Sequence, residues 1–256
     1  MPVQVIVCAI AKQEDLYVDE WVTYYIYGLD VDHVHIFDNS DENTLLTLPD
    51  RYPGKVSVYH APGAGMQTPV YNMIKTKVYV SPELWCAFID LDEFIVLKRH
   101  ETLAQLLEDY ADYSGLVLNW VLFGDSGHTD YSATPVTERF TRRQRDVNLH
   151  IKSIVNLQKM NAMLCHDATY TVGNAVDTNR KVVTGPHNKQ GPSHVAVIHH
   201  YFGKSRGEFM LKRARGLSDR ASGFIRPVKD FDDHNFNVVH YLQQSQASLE
   251  RVDIAV

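Results

Sequence analysis

The stretch that decides the fold is WCAFIDLDEFI, residues 85–95, in which an apolar segment runs without a break into acidic side chains. Trp85 to Ile89 has the strongly apolar character of a strand buried within a sheet. Asp90 and Asp92 follow at once, and charges placed directly against a core strand need partners. The stretch therefore predicts a central strand with functional carboxylates at its C-terminal end. A solvated turn is the alternative interpretation, because aspartate is common in turns.

The N-terminal part of the chain has the pattern of a β-α-β unit. Val3 to Ile10 is a nearly continuous apolar run, as expected of a buried strand, and His33 to Phe37 alternates as a second strand. Strand, helix and strand in this order imply a parallel sheet with a right-handed crossover. The helix between them, which should stop at Gly28, is predicted by apolar residues at helical spacing: Val18, Trp21, Val22 and Tyr25.

The α/β pattern continues as far as Trp120. It predicts strands at Lys55 to His60 and Gly115 to Trp120, and helices at Pro69 to Val80 and Thr102 to Tyr110. No internal repeat or linker is visible in the chain. We therefore expect residues 1–256 to form one α/β domain, with a Rossmann-like, mostly parallel sheet and a mixed C-terminal part.

Beyond Phe123 the pattern is mixed. Short strands are predicted at Val136 to Phe140, His150 to Leu157 and His194 to Phe202. A helix from Arg206 is predicted because Ser205 and Glu208 have the spacing of a capping box.

The composition is that of an ordinary globular protein, with 256 residues of which 45% are hydrophobic and 22% charged. It excludes disordered, collagen-like and coiled-coil chains. No apolar run approaches the ~20 residues that cross a bilayer, and Met1 to Ile10 lacks the charged start of a signal peptide, so we expect a cytoplasmic protein without a transmembrane segment. Cys8, Cys86 and Cys165 are scattered among apolar neighbours and are expected to be reduced thiols in the core.

The formal net charge of −6 hides an asymmetry along the chain. Residues 12–50 hold ten acidic side chains and one basic one, whereas residues 201–229 hold eight basic and two acidic ones. The C-terminal third could therefore face an anion. No nucleic-acid partner is expected, because the whole chain is acidic and no recognition motif accompanies the basic segment. A small phosphorylated ligand fits better.

Polar residues follow three of the predicted strands, at Ala11 to Glu14, Asp38 to Ser40 and Asp90 to Asp92. Ligands of open α/β sheets bind beyond the carboxyl ends of the strands. Two carboxylates one residue apart can offer oxygens to Mg²⁺ or Mn²⁺ while a diphosphate supplies further ligands.

Several motifs occur in order between residues 5 and 216: CAIAK (8–12) with Glu14, HIFDNS (35–40), AFIDLDEF (87–94), KSIV (152–155), and HY (200–201) with Lys204, Ser205, Lys212 and Arg215. Together they resemble the GT-A-type glycosyltransferases, in particular the glycosyltransferase-2-like and family-92 group. Gln13 stands where such proteins usually carry Asn, and Asp125 stands where Ser is common.

The resemblance implies a GT-A fold, with a nucleotide-binding half at 1–120 and an acceptor-side half at 121–256. It implies an enzyme that moves a sugar from a nucleotide-diphosphate sugar, UDP-linked rather than GDP-linked, to a glycan or other hydroxyl acceptor. It also implies Mn²⁺ or Mg²⁺ and inversion at the anomeric carbon. The acceptor and the oligomeric state are left open.

Site residues follow from the same resemblance. The metal ligands would be Asp90, Asp92 and His200, although a histidine in a strand is more often a core residue, and His199 is the competing choice because neighbours in a strand point to opposite faces. The donor would be held by Ala11, Lys12, Glu14, Asp38, Asn39, Asp90, Leu91, Lys204, Lys212 and Arg215. For Lys212 a solvated basic helix is the alternative, and Arg213 and Arg220 are expected to face solvent.

The residue that takes the acceptor's proton is less defined. Asp92 and Asp125 are the predicted catalytic residues, Asp125 as a base near the acceptor, with Glu93, Glu138 and Asp167 as alternatives and an Asx turn as the structural explanation of Asp125. Trp120 and Phe123 could form an apolar platform for a sugar ring, although aromatic residues at a strand end are more often part of the core, and His166 is expected in the same cleft.

Two other functions remain compatible with the sequence. A nucleotidyltransferase or metal-dependent phosphohydrolase also pairs carboxylates with a basic helix, and would release pyrophosphate or phosphate. A non-catalytic sugar-nucleotide-binding scaffold would follow if the aspartates bound no metal.

Overall fold

A computed structural model describes residues 2–219 and 224–241 of the chain. Within these residues the strands are β1 Gln4–Ala11, β2 His33–Asp38, β3 Val56–His60, β4 Leu84–Phe88, β5 Glu93–Leu97, β6 Gly115–Leu122, β7 Arg142–Arg143, β8 Ile151–Asn156, β9 Met160–Met163, β10 Ala168–Tyr170, β11 Ala175–Val176, β12 Val182–Val183, β13 Ala196–His200 and β14 Val239–His240. The helices are α1 Val18–Thr23, α2 Leu48–Arg51, α3 Gln67–Met73, α4 Leu103–Glu108, α5 Val136–Arg139, α6 Arg206–Ala214 and α7 Lys229–His234.

The central sheet has the order β12-β11-β6-β8-β4-β1-β2-β3. β3, β2, β1 and β4 run parallel, and β8 lies antiparallel between β4 and β6. A branch adds β13, which is parallel to β6 and antiparallel to β5. The predicted α/β class, with a mostly parallel sheet and a mixed C-terminal part, is therefore confirmed. The register pairs Ala11 with Asp38 and Cys8 with Phe88, so the strand ends that carry polar residues meet at one edge.

The core has two layers because the side chains of β1 alternate between the faces of the sheet. Val5, Val7 and Ala9 face a layer that contains Trp21 of α1 and Leu106 of α4. On the other face, Ile6, Cys8 and Ile10 pack against Val70, Tyr71 and Ile74 of α3 and the turn that follows it. Burial on both faces explains the continuous apolar runs of the central strands.

Several predicted boundaries change. Val136 to Phe140 is not a strand, and the prediction was wrong: residues Val136–Arg139 form the short helix α5 after Pro135. The carboxylate of Glu20, from a distant helix, accepts hydrogen bonds from the backbone N–H groups of Val136 and Thr137, which satisfies the start of α5. The helix predicted at Pro69 to Val80 is shorter, since α3 ends at Met73 and a 3₁₀ turn follows at Ile74–Thr76.

Other predictions hold. The helix after Glu14 forms as α1 and then widens to a π-helical turn that ends at Gly28. Ser205 and Glu208 form a full capping box on α6. The cysteines are free, with Cys8 and Cys86 buried as expected, but Cys165 is only half-buried.

In residues 2–219 and 224–241 no helix is long and apolar enough to span a bilayer. Arg213 is half-buried, with its Nε bonded to a backbone carbonyl, rather than turned fully to solvent as expected. Arg220 lies outside the described residues.

Candidate active site

A cavity of about 440 Å³ lies at the carboxyl ends of β1 and β4. Parallel strands end at the same edge of a sheet, which brings together residues that are distant in the chain. The segment at and after the end of α6 closes one side. The lining consists of Ile10, Lys12, Glu14, Gln67, Asp90, Leu91, Asp92, Trp120, His150, Cys165, His166, His200, Phe202, Lys212, Arg215, Gly216, Leu217, Ser218, Asp219, Arg226 and His234.

Asp90 is held by three hydrogen-bond donors in the cavity wall. Gln67 Nε2 and Tyr71 OH each donate to Oδ1 at 3.0 Å, and Lys152 Nζ donates to Oδ2 at 2.7 Å. Gln67 and Tyr71 lie one helical turn apart on α3 and therefore point the same way. The side chain of Asp90 is still 31% exposed, so it remains accessible from the cavity.

Asp92 lies deeper, with only 8% of its side chain exposed. Lys212 Nζ lies 2.5 Å from its Oδ2, and His200 Nε2 lies 3.5 Å from its Oδ1. Burial would raise the pKa of Asp92, but Lys212, His200 and Lys204 outweigh it and hold that pKa well below its usual value. Burial lowers the pKa of His200, despite the neighbouring carboxylate. An ionised carboxylate therefore sits beside a neutral imidazole.

Glu93, the third acid of the motif, is fully buried and supports the site from below. Its Oε2 accepts the backbone N–H of Asp90 at 2.9 Å and lies 3.7 Å from Lys152 Nζ. Burial raises the pKa of Glu93 more than Lys152 lowers it. Burial lowers the pKa of Lys152, but Asp90 and Glu93 reverse this and raise it, so the lysine stays charged. Glu93 is thus a poor candidate for an acceptor-side base.

On the donor side, the structure brings Lys12, Glu14, Leu91 and Lys212 to the cavity as expected. Glu14 forms an ion pair with Arg215. Arg215 Nη1 also donates to the backbone oxygen of Gln13, the residue after Lys12, at 2.7 Å. The loop after β1 is therefore tied to the end of α6.

Three other predicted donor-binding residues are buried and do not line the cavity. The backbone oxygen of Ala11 accepts the N–H of Asn39 at 2.6 Å. Asp38 accepts the N–H groups of Ser40 at 3.0 Å and Leu45 at 3.2 Å. Asn39 Nδ2 donates to two backbone carbonyls of the loop after β3. These hydrogen bonds hold the loops after β1 and β2. Because the three residues lie outside the cavity lining, their position does not support the expected contact with a nucleoside.

Lys204 is also outside the cavity lining. It is buried, and its Nζ lies 4.1 Å from the centre of the Tyr17 ring. Its charge contributes to the low pKa of Asp92 from a distance. The expected direct contact between Lys204 and a diphosphate is therefore not supported.

Asp125 does not line the cavity either, and its role as an acceptor-side base stays a prediction. Asn235 Nδ2 donates to Oδ2 at 2.9 Å, while Asn237 Nδ2 at 3.0 Å and the N–H of Gly127 at 2.9 Å donate to Oδ1. The last of these is the Asx turn that was the alternative interpretation. Asp125 instead anchors the segment after α7. Glu138 and Asp167 likewise lie outside the lining.

The two histidines of β13 point to opposite faces, as the strand geometry requires. His200 lines the cavity beside Asp92, whereas His199 packs against Phe123 and Tyr241. Trp120 lines the cavity but is only 8% exposed, and Phe123 lies in the core. Phe123 therefore takes the core position that was the alternative, and a sugar platform at Trp120 stays a prediction.

Sequence reasoning missed several residues of the site. Lys152 belongs to the KSIV motif, but no site role was predicted for it. Its charge in the middle of an apolar strand was the signal that could have indicated one. The remaining ones have no local signal, because they reach the cavity from loops or helices whose position depends on the fold: Gln67, Tyr71, His150, Phe202, Arg226 and His234.

A divalent cation in the cavity would need oxygen or nitrogen ligands from the protein. Among residues 2–219 and 224–241, no group of three or more His, Cys, Asp or Glu side chains is placed to hold a metal ion. Both oxygens of Asp90 are already occupied by donors. Asp92 and His200 do fit as a pair, because the ionised Oδ1 of Asp92 and Nε2 of the neutral His200 imidazole lie 3.5 Å apart. The remaining ligands would have to come from a bound diphosphate and water.

Comparison with known proteins finds one matching family profile and relatives of the same family. The profile of glycosyltransferase family 92 matches residues 83–216. A glycosyltransferase family 92 protein of Ricinus communis is 25% identical over 225 residues, which cover 82% of this chain and 37% of the relative. One of Oryza sativa subsp. japonica is 27% identical over 164 residues, 62% of this chain and 28% of the relative. This chain therefore spans well under half the length of either relative.

Solved structures give a more distant likeness. S. aureus TarS 1-349 in complex with UDP aligns with a TM-score of 0.37 and 15% identity, over 51% of this chain and 38% of the TarS 1-349 chain. S. aureus TarS 1-349 aligns with a TM-score of 0.35 and 16% identity, over 60% and 47%. At these TM-scores the likeness supports no inference about the site.

The sheet and cavity define the class as an α/β protein with a ligand site at the carboxyl ends of parallel strands, which agrees with a GT-A-type fold. The family match covers more than half of the chain, from β4 to the end of α6. The chain belongs to glycosyltransferase family 92.

Proposed function

We propose that the protein transfers a sugar from a UDP-sugar to a hydroxyl group of a glycan, with Mn²⁺ or Mg²⁺ and with inversion at the anomeric carbon. The observation that supports this best is the pairing of Asp92 with His200 and Lys212 in a polar cavity at the end of β4. Family membership supports a sugar transferase. The cytoplasmic location remains a proposal as well.

The diphosphate of the donor would lie among the basic side chains of the cavity. Lys212, Arg215 and Arg226 all line it, and each comes from the segment after β13 that the sequence marks as basic. Guanidinium groups bind phosphate oxygens through two parallel hydrogen bonds, and an ammonium group adds a point charge. Lys12, from the loop after β1, supplies a cation from the other side.

Asp92 and His200 are the residues that would hold the cation. When bound, the metal would act as a Lewis acid that stabilises the departing diphosphate. In the protein alone, Lys212 pairs with Asp92. This pairing would keep the carboxylate ionised until a cation and nucleotide bind, and would leave the ammonium free for the diphosphate afterwards.

Asp90 would orient the donor rather than ligate the metal. Its carboxylate is fixed by Gln67, Tyr71 and Lys152, yet remains partly exposed. A carboxylate fixed in this way can accept hydrogen bonds from the hydroxyl groups of a ribose.

The first test is calorimetric titration of UDP and GDP, with and without Mn²⁺, into the wild type and Asp92→Asn. We expect UDP to bind the wild type and Mn²⁺ to increase its affinity. Asp92→Asn should remain folded but lose this effect of the metal. Asp125→Asn is the matched control, because its carboxylate lies outside the cavity and the metal effect should persist. If Mn²⁺ changes UDP affinity equally in the wild type and Asp92→Asn, the assigned metal pair is wrong. If neither nucleotide binds, the donor site itself is wrong.

A further inference from the structure

Part of the cavity wall is not used by the donor site described above. Trp120 is flanked there by His150 and His166, whose ring centres lie 5.1 Å and 5.2 Å from the indole. His150 stacks on the indole at 23°, and His166 meets it edge-on at 70°. All three residues line the cavity. Trp120 also meets the ring of His200 at 4.3 Å, so the imidazole-rich side of the cavity adjoins the side that holds Asp92 and Lys212.

His166 is fixed to strand β8 by its backbone, its side chain and the residue before it. Ser153 Oγ donates to the backbone oxygen of His166 at 2.8 Å, and Lys152 Nζ donates to the backbone oxygen of Cys165 at 3.2 Å. The His166 side chain bonds back to the carbonyl of Ile151 at 3.2 Å. Three consecutive residues of a buried strand thus hold this loop, which leaves the imidazole little freedom to move.

The bond to Ile151 also sets the tautomer of His166. A carbonyl oxygen can only accept a hydrogen bond, so Nδ1 must carry the proton and donate it. In the neutral ring Nε2 then has a lone pair, and no hydrogen-bond partner for Nε2 is found among the described residues. His150 resembles it, with Nδ1 2.8 Å from the side-chain oxygen of Asn148. The backbone N–H of His150 donates to the same oxygen at 3.0 Å, so this oxygen is an acceptor and His150 also carries its proton on Nδ1.

The surroundings keep His166 neutral at rest. Burial is the main cause that lowers its pKa to about 4, and the charge of Lys152 and the neighbouring His150 act in the same direction. Asp90 and the bond to Ile151 oppose this. Lys152 links the two sides of the cavity, since its ammonium group bonds both Asp90 and the backbone that precedes His166. The imidazole is thus held in a fixed position relative to the donor-side carboxylate.

We infer that Nε2 of His166 is the group that takes the proton from the acceptor hydroxyl, on the Trp120 side of the cavity. This inference rests on the proposed function. It replaces the carboxylate base that the sequence suggested, because Asp125, Glu138 and Asp167 lie outside the cavity lining and Glu93 is buried behind Asp90.

The step balances with the groups present. The acceptor oxygen forms a bond to the anomeric carbon, and the bond from that carbon to the diphosphate breaks, so that UDP leaves with the electron pair. The hydroxyl proton moves to Nε2 of His166, and the negative charge of Asp90 favours the imidazolium that forms. Release of the proton to solvent returns the ring to its resting tautomer.

The first experiment needs no turnover and no known acceptor. Long-range ¹H–¹⁵N NMR of the imidazole rings, assigned with His166→Gln, reports which ring nitrogen carries the proton. We expect a neutral ring with the proton on Nδ1 at neutral pH. A proton on Nε2, or a ring that is charged at pH 7, would overturn the inference whatever the enzyme's substrates are.

The second experiment measures UDP release from UDP-glucose, UDP-galactose and UDP-N-acetylglucosamine with Mn²⁺, with water or methyl glycosides as the acceptor. General-base catalysis is worth ~10²-fold or more, so His166→Gln should lower kcat by at least about 10²-fold and leave KM for the donor unchanged. His166→Ala should regain activity with added imidazole. His150→Gln is the neighbouring comparison and His100→Gln, which pairs with a surface aspartate, is the distant control.

The outcomes separate this inference from the proposed function. If the wild type binds UDP and releases it from a donor, and His166→Gln keeps more than half of kcat, the proposed function stands and the base is another group. A loss confined to His150→Gln would likewise overturn the assignment to His166. If UDP does not bind the wild type at all, the proposed function fails, and the NMR tautomer still supports or contradicts the geometry on which the inference rests.

Discussion

Lys152 Nζ lies 2.7 Å from Oδ2 of Asp90, and the lysine side chain is fully buried in the middle of the sheet. The two residues come from adjacent antiparallel strands, since β8 pairs with β4 and Asp90 follows the end of β4. A second carboxylate, Glu93, lies 3.7 Å from the same ammonium group. The charge of Lys152 is therefore what allows the acidic motif to sit against the core.

Replacement of Lys152 by methionine tests this dependence. The variant leaves Asp90 and the buried Glu93 without their cation, and loss of one partner of a buried pair costs about 3–5 kcal/mol of unfolding free energy. Urea denaturation followed by circular dichroism measures the change. The double variant Lys152→Met, Glu93→Gln should recover part of the lost unfolding free energy. Lys189→Met, at an exposed position, is the control and should be nearly neutral. A loss below about 1 kcal/mol for Lys152→Met would contradict the assigned role.

Asp92 gives the site a predictable pH dependence. Its pKa in the folded protein is held well below the ordinary value of 3.8, although burial opposes this. A group whose folded pKa is depressed stabilises the fold above its unfolded pKa, and that contribution is lost as the pH falls through the folded pKa. The stability difference between the wild type and Asp92→Asn should be constant from pH 7 to about pH 5 and shrink below about pH 4. Urea titrations at several pH values measure this difference. An unchanged difference at pH 3 would show that Asp92 is not ionised by its neighbours.

The fold was largely predictable from the sequence, because its signals are local. The continuous apolar runs of β1 and β4 report burial on both faces of a sheet, and the capping box at Ser205 fixes the start of α6. Residues 136–139 show the limit. The sequence predicted a strand there, but the distant carboxylate of Glu20 caps a short helix instead. No local pattern contains that contact.

The site was predictable where it follows strand ends and at Lys212 and Arg215 of the basic segment around α6. Asp90, Asp92 and Glu14 reach the cavity because the topology of a parallel sheet places strand ends together. Asp38 follows a strand end in the same way, yet its carboxylate turns back to cap its own loop. Which of two such residues faces a ligand depends on loop conformation, which the sequence pattern does not encode. His166 depends on three bonds to β8 and had no signal of its own.

The role of Asp125 can be tested by substitution. Its carboxylate binds the side chains of Asn235 and Asn237 and so attaches the segment after α7 to the end of β6. Asp125→Ala should lower the unfolding free energy by about 2 kcal/mol, because hydrogen bonds to a charged group are lost. UDP affinity, measured by calorimetry, should stay within about twofold of the wild type. A variant of normal stability that has lost sugar transfer would restore Asp125 as a candidate base.

Gly124 offers an independent check on the same contact. A β-carbon at Gly124 would lie 2.6 Å from the backbone oxygen of Phe236 and 2.7 Å from Oδ1 of Asn235. Because one of these atoms belongs to the backbone, the segment would have to move. Gly124→Ala should therefore destabilise the protein by about 1–3 kcal/mol and expose residues 235–237 to amide exchange. Hydrogen exchange measured by mass spectrometry would detect this, and unchanged protection of the segment would show that it is not held against Gly124.

Arg226 provides the last test, because it lies in the cavity wall far along the chain from the acidic motif. Its guanidinium group lies 4.7 Å from the centre of the Phe202 ring, and burial lowers its pKa while the nearby carboxylate of Asp92 raises it. A half-buried cation that faces both a carboxylate and open space gains most from a bound phosphate. Arg226→Met, which keeps the apolar length of the side chain, should weaken UDP binding about tenfold and reduce its salt dependence. Arg206→Met is the matched control, since Arg206 also lies over an aromatic ring and near an aspartate, but on an exposed face of α6. Calorimetry of UDP at two salt concentrations compares the three proteins. Equal affinity in all of them would place the diphosphate away from Arg226 and leave Lys12, Lys212 and Arg215 to bind it.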